Sequence, residues 1–182
     1  MTVDNVDNEH QYILKIVLLG DPAVGKTSLI TQFVDHSFEA DYKSTLGVSI
    51  IAKELIVKNV DGKVKLIIWD IAGQEKYDLS RKFFFQGCTG ALLVYDITRE
   101  SSFNSIENKW LKDFKKFGKE ESTHILIGNK NDLKELRSIN KTDGKKLAKK
   151  IKAINFIETS ARFGENVEEA FQNLIKEVLL NY

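Results

Sequence analysis

The stretch "GDPAVGKT" over 20–27 carries the chain's densest set of chemically useful residues. It fits G-x-x-x-x-G-K-T, follows an apolar run that predicts a strand and opens a pattern that predicts a helix, which is the context in which such a loop cradles phosphate. Backbone N–H groups over 24–27 are placed to ring a β-phosphate at the start of that helix. The Lys26 amine reaches β- and γ-phosphate oxygens, and the Thr27 hydroxyl offers a ligand to Mg²⁺. Pro22, the only proline in the chain, stands inside the loop, where it fixes φ and removes a donor. Alone, this motif specifies a nucleoside triphosphate and no particular base.

Three more stretches follow predicted strands: "WDIAGQE" over 69–75, "NKND" over 129–132 and "TSARFG" over 159–164. In a doubly wound sheet the loops beyond the strand C-termini line one crevice, so all four stretches converge on one nucleotide. Asp132 points to guanine. A carboxylate only accepts hydrogen bonds, and guanine offers N1–H and its 2-amino group as paired donors, whereas adenine has no matching pair. A buried acceptor left unpaired is costly, which lets such a site reject analogues. Taken alone "NKND" reads as an Asn-rich turn; its position downstream of the phosphate loop gives it the base-reading role.

The elements that must hold these loops alternate along the chain. "YILKIVLLG", "VKLIIWDI", "ALLVYDI", "HILIGN" and "INFIET" are β-rich apolar runs, while "KTSLITQFV", "SFNSIENKWLKDF", "GKKLAKKI" and "VEEAFQNLIKEVLL" carry helical spacing. "NVDG", ending in Asp-Gly after "SIIAKELIV", predicts a hairpin and one antiparallel pair. The expected class is α/β: a six-stranded, mostly parallel sheet with one antiparallel edge strand and helices on both faces. At 182 residues the chain fits one domain, over 12–182, behind a disordered leader at 1–11.

A net charge of +1 gives no global field that would favour nucleic acid or an acidic membrane. The lysine-rich "KTDGKKLAKKIK" is interleaved with apolar residues and reads as a solvated helix face. A single cysteine, Cys88, excludes an internal disulfide framework and fits a reducing compartment, so a cytoplasmic location is expected. The acidic "MTVDNVDNEHQ" resembles neither a signal peptide nor a myristoylation site. No apolar run approaches the ~18 residues of a membrane span, and "KEVLLNY" carries no prenylation box, cysteine pair or polybasic tail. The expectation is no intrinsic membrane anchor, with membrane association only through partners or a missing tail.

Together these motifs resemble the Ras superfamily of small GTPases, and the stretch over 12–180 is most similar to its Rab branch. The resemblance implies a P-loop NTPase (small G-protein) fold that binds GTP/GDP with Mg²⁺, hydrolyses GTP slowly and acts as a molecular switch. It implies that Gln74 orients the attacking water, with Lys26 as the other catalytic residue, and that Asp70 and Thr45 join Thr27 at the metal. Gly73 would meet the γ-phosphate through its N–H, and Phe38 would pack edge-on against the base. Asn129 would brace the loops and contact the base, the Lys130 stem would cover the ring and the Ser160 and Ala161 backbone would meet the guanine O6. Pro22, Ala23, Val24, Gly25, Ser28, Tyr42 and Arg162 complete the implied nucleotide contacts, Pro22 facing the γ-phosphate.

The Rab-like features are Trp69, the run "FFFQGCTGALLVYD" from Phe83 and "SFNSIENKW" over 102–110. Ile50 departs from the pattern, standing where a phenylalanine usually completes an exposed apolar triad with the counterparts of Trp69 and Phe84. Ile71 replaces the usual threonine, and "DLSRK" after Tyr77 also differs. These departures spare the nucleotide chemistry and leave the effector open. The resemblance implies effector, GAP and exchange-factor proteins that bind through regions around 38–50 and 70–84, a monomer, no nucleic acid, and a role in membrane trafficking. Two alternatives remain: a GTP-loaded scaffold with little hydrolysis, raised by "DPA" beside the phosphates and separated by single-turnover hydrolysis, and an ATP-using P-loop enzyme, disfavoured by Asp132 and separated by GTP/ATP competition.

Overall fold

The computed structural model describes residues 12–36, 47–57, 60, 62–71, 81–118 and 122–181. Within them six strands form one sheet: β1 (Tyr12–Leu19), β2 (Val48–Ile56), β3 (Lys63–Ile71), β4 (Gly90–Asp96), β5 (Thr123–Asn129) and β6 (Phe156–Thr159). Their order is β2-β3-β1-β4-β5-β6. β2 runs antiparallel to β3, with Val48 opposite Ile71 and Ile56 opposite Lys63, and every other pair is parallel. This is the architecture expected from the sequence, including the antiparallel edge.

Alternation of side chains across each strand explains why the central strands read as unbroken apolar runs, because both faces are covered. Leu14, Ile16 and Leu18 of β1 point into one core with Leu92, Val94, Ile125 and Ile127. Val17 and Leu19 point into the other with Leu93, Tyr95 and Leu126. The first face is closed by α1 (Lys26–Asp35) and α6 (Val167–Leu180), whose Leu29, Ile30 and Phe33 and Ala170, Phe171, Leu174 and Val178 recur at helical spacing. The Phe33 and Phe171 rings stack with centroids 4.0 Å apart and so join the two helices.

The second face carries α2 (Arg81–Phe85), α3 (Glu100–Ser105), α4 (Leu111–Phe117) and α5 (Lys141–Ile151). A π turn over Ile106–Trp110 joins α3 to α4 in one helical run and buries Ile106 and Trp110. β1 pairs with β3 on one side and β4 on the other, so the strand order reverses beside it and a crevice opens at its C-terminal end. Residues 20–25 begin at that point, and the segments after β4, β5 and β6 lie at the same edge of the sheet.

Candidate functional site

Both glycines of the phosphate-type loop are required by close approach. A Cβ on Gly20 (φ +153) would sit 2.1 Å from the Val94 carbonyl oxygen, and one on Gly25 (φ +98) would sit 2.3 Å from Asn129 Nδ2. Five described non-glycine residues have positive φ; His36, Lys152 and Asn166 do so at helix caps. The remaining two, Ala23 (φ 62) and Lys130 (φ 70), belong to the candidate site, where strained backbone tends to gather. α1 starts at Lys26 directly after Gly25, with no side-chain cap among the described residues. Its first N–H groups therefore face the loop, as an anion-binding helix start requires.

Lys26 is buried, and its Nζ donates to the carbonyls of Gly20 at 2.8 Å and Asp21 at 3.0 Å, spanning the loop from inside. The Thr27 hydroxyl donates to Asp70 Oδ2 at 2.5 Å, tying the start of α1 to the buried end of β3. This pair of hard oxygen donors suits a small divalent cation that takes its other ligands from phosphate and water. No three His, Cys, Asp or Glu side chains gather around one point among the described residues, so these residues form no all-protein cage. Val24 is buried in the first core, Ser28 is half-buried, and Pro22 and Ala23 are exposed at the loop tip.

A single buried amide joins this loop to two others. Asn129 Nδ2 donates to the Val24 carbonyl at 2.9 Å, while its Oδ1 accepts from the Thr159 hydroxyl at 3.0 Å and the Ala161 N–H at 3.2 Å. The Ser160 hydroxyl donates to Asp132 Oδ1 at 2.7 Å and accepts the Phe163 N–H. Arg162 is exposed, its guanidinium lying over the Phe163 ring.

Other functional neighbours carried no signal in the sequence. Lys130 Nζ pairs with Asp96 Oδ2 at 2.7 Å, and Asp96 Oδ1 also accepts the N–H and hydroxyl of Thr98. Burial alone would push the Asp96 carboxyl up, but the bonds from Lys130 and Thr98 outweigh it and hold the group below its ordinary range. Arg137 grips Glu158 with both ends of its fork, at 2.6 and 3.1 Å, and donates to Asn131 Oδ1 at 3.0 Å; Asn131 Nδ2 in turn reaches both Glu165 oxygens. The hydrogen bond to Glu158 raises the Arg137 pKa further. This network fastens the 129–132 loop to β6 and the 160–166 loop.

Breaking a buried pair strands a charge, so Glu158→Ala is expected to lower unfolding stability by about 3 kcal/mol, while replacing both partners with leucine costs less than the single change. Urea unfolding of the two variants checks this; a double variant less stable than Glu158→Ala contradicts it. Among the site residues expected from sequence, Phe38, Tyr42, Thr45, Gly73 and Gln74 lie outside the described residues.

The family model described as "Ras family" matches residues 15–180. The chain belongs to the Ras family. Within that family it is similar to the Ras-related protein RGP2 of Oryza sativa subsp. japonica, 42% identical over 95% of this chain and 78% of the relative. Ras-related protein Rab11E of Lotus japonicus is also 42% identical, over 94% of this chain and 77% of its own length. GTP-binding protein ypt3 of Schizosaccharomyces pombe is 39% identical over 94% and 78%. The sheet and phosphate loop are thus those of the Ras-family P-loop fold, and the chain is a Rab-like small GTPase.

On this Ras-family scaffold the candidate partner residues are both core and surface. Trp69 and Phe84 are half-buried, 6.0 Å apart between ring centroids, and pack against the second core. Lys15 Nζ lies 3.9 Å over the Trp69 ring. Ile50, opposite Trp69 on the edge strand, is 57% exposed, and Phe83 is 64% exposed. Of the regions around 38–50 and 70–84, the described parts are 47–50, 70–71 and 81–84. No helix among the described residues is long and apolar enough to cross a membrane.

Proposed function

We propose that this chain is a Mg²⁺-dependent GTP switch in which residues 20–28 bind the phosphates and 129–132 with 160–162 read guanine. The observation that carries this reading is the Asn129 side chain, which locks the Val24 carbonyl of the phosphate loop to Thr159 and Ala161 of the base-reading loops. Cradle and reader then form one rigid unit. The Val24, Gly25, Lys26 and Thr27 N–H groups hold the β-phosphate, and Lys26 Nζ moves between the loop carbonyls it now holds and the phosphate oxygens. Thr27 and Asp70, with Thr45, would hold Mg²⁺, which supplies charge neutralisation at the β- and γ-phosphates when bound. Asp132 accepts from guanine, the Lys130 stem covers the ring from an amine anchored on Asp96, and Phe38, Tyr42 and Arg162 complete the nucleotide contacts.

Gln74 orients the attacking water, and Gly73 and Thr45 sense the γ-phosphate. Its loss releases their contacts and changes what partners bind. Effectors, GAPs and exchange factors engage the regions around 38–50 and 70–84 of a monomeric domain spanning 12–182. The setting is membrane traffic, a reading supported by the likeness to Rab-type relatives, with residence on membranes conferred by partners or a tail. Ras itself, the reference case, turns over at about 10⁻⁴ s⁻¹ unaided, and a partner's arginine adds about 10⁵-fold.

Single-turnover hydrolysis of labelled GTP is the test. The chain is expected to turn over slowly, on the order of the Ras rate, with Gln74→Leu slower by about tenfold or more. ATP competing as well as GTP, or undiminished hydrolysis in Gln74→Leu, overturns the reading.

A further inference from the structure

The phosphate loop is held from outside as well as from within. Arg99, between β4 and α3, donates from Nη2 to the Pro22 carbonyl at 2.6 Å. One residue earlier in the loop, Asp21 accepts the Trp110 indole N–H at 2.8 Å on one oxygen and the Ser105 hydroxyl at 3.0 Å on the other. Trp110 closes the π turn and is fully buried. A π turn holds an extra residue, which rotates the downstream part of the helix by about 100° relative to a regular one. Arg99 is itself seated: its N–H donates to the Asp96 carbonyl, and its own carbonyl accepts from the N–H and hydroxyl of Ser102. The helical run 100–117 and the arginine just before it thus grip two consecutive loop residues.

We infer that Arg99 is a positioning residue for the phosphates, acting through the Pro22–Ala23 peptide. That peptide is trans, as are all the described ones, so its C=O and N–H point in opposite directions. Drawing the Pro22 oxygen to Arg99 turns the Ala23 N–H the other way, away from Arg99. Ala23 has φ 62, a conformation disfavoured for a residue with a Cβ, and rotation of this peptide would relieve it. Such a rotation would also swing a carbonyl toward the phosphates. Pro22 has no N–H of its own, so the chain depends on the Ala23 N–H as the next donor. Ala23 lies between Pro22, which the resemblance sets against the γ-phosphate, and the amides assigned to the β-phosphate, so its N–H is the one given to the γ side of that row. Arg99 therefore favours the triphosphate over the diphosphate.

This inference rests on the loop being the GTP phosphate site. Its test uses the full chain and its Arg99→Ala and Arg99→Lys variants, with dissociation of fluorescent GDP and of a non-hydrolysable fluorescent GTP analogue, ³¹P resonances of both bound nucleotides, and thermal melting. Arg99→Ala is expected to release the GTP analogue about tenfold faster, in keeping with a weakened hydrogen bond to a charged group, and GDP no more than about threefold faster. The γ-phosphate resonance shifts, and Arg99→Lys, which keeps one donor for the carbonyl, recovers at least half of the effect. Equal acceleration for both nucleotides with a lowered melting point and no recovery by lysine marks a purely structural contact and overturns the inference. Unchanged release rates from a variant whose parent binds both nucleotides overturn it as well. A parent chain that holds neither nucleotide defeats the GTP reading and this inference with it.

Discussion

Asp132→Asn is expected to exchange the nucleotide preference of the chain, lowering GTP affinity about 10³-fold or more while raising XTP affinity above it. The Ser160 hydroxyl donates to Asp132 Oδ1 at 2.7 Å. In the asparagine variant the carbonyl oxygen keeps that bond, so the amide nitrogen falls where Oδ2 stood. An acceptor becomes a donor with little movement of the side chain. Guanine's 2-amino group then meets another donor, whereas the 2-carbonyl of xanthine meets its complement. Sites built around a hydrogen bond discriminate far more steeply than apolar pockets, because the wrong partner leaves buried polar groups unpaired. Competition of GTP and XTP against a fluorescent guanine nucleotide, run on the parent and variant proteins, measures the exchange. A variant that keeps its preference for GTP removes the guanine-reading role of Asp132.

The pieces of this site that could be read from sequence are those whose chemistry is local. Gly20, Gly25, Lys26 and Thr27 announce themselves by spacing within one loop, and the central strands by unbroken apolar runs that only a sheet covered on both faces demands. Pairings across the fold could not be read this way. Arg137 and Glu158 lie 21 positions apart, and Trp110 and Asp21 lie 89 apart; in one dimension an Arg or a Glu reads as solvent-facing surface, and a Trp at helical spacing reads as core. "SFNSIENKWLKDF" predicts a helix, which it forms, but periodicity does not reveal the π turn that interrupts it. The fit of one motif to another was equally hidden: the space that Gly25 leaves open is filled by the Asn129 amide. The motifs were local patterns that spacing could carry; the contacts that join the described ones were not.

That fit sets the size of the second expected result. Asn129→Ala should accelerate GDP release by about 10³-fold, because this one amide serves three groups. The Val24 carbonyl, the Thr159 hydroxyl and the Ala161 N–H all lose this buried partner, and removing one partner of a buried hydrogen bond costs about 1–3 kcal/mol. Stopped-flow chase of a fluorescent GDP, with melting of the nucleotide-loaded protein as a companion, gives the number. Asn129→Asp separates the two halves of the joint. Its carboxylate still accepts from Thr159 and Ala161 but has no donor for Val24 and repels that carbonyl, so the base-reading loops stay in register while the phosphate loop loses its tie. Asn129→Asp is therefore expected to keep its preference for guanine over adenine nucleotides while releasing GDP far faster than the parent. A release rate within about threefold of the parent for Asn129→Ala would show that the loops hold their positions without the amide. Loss of base preference in Asn129→Asp would show instead that this side chain reads the base more than it joins the loops.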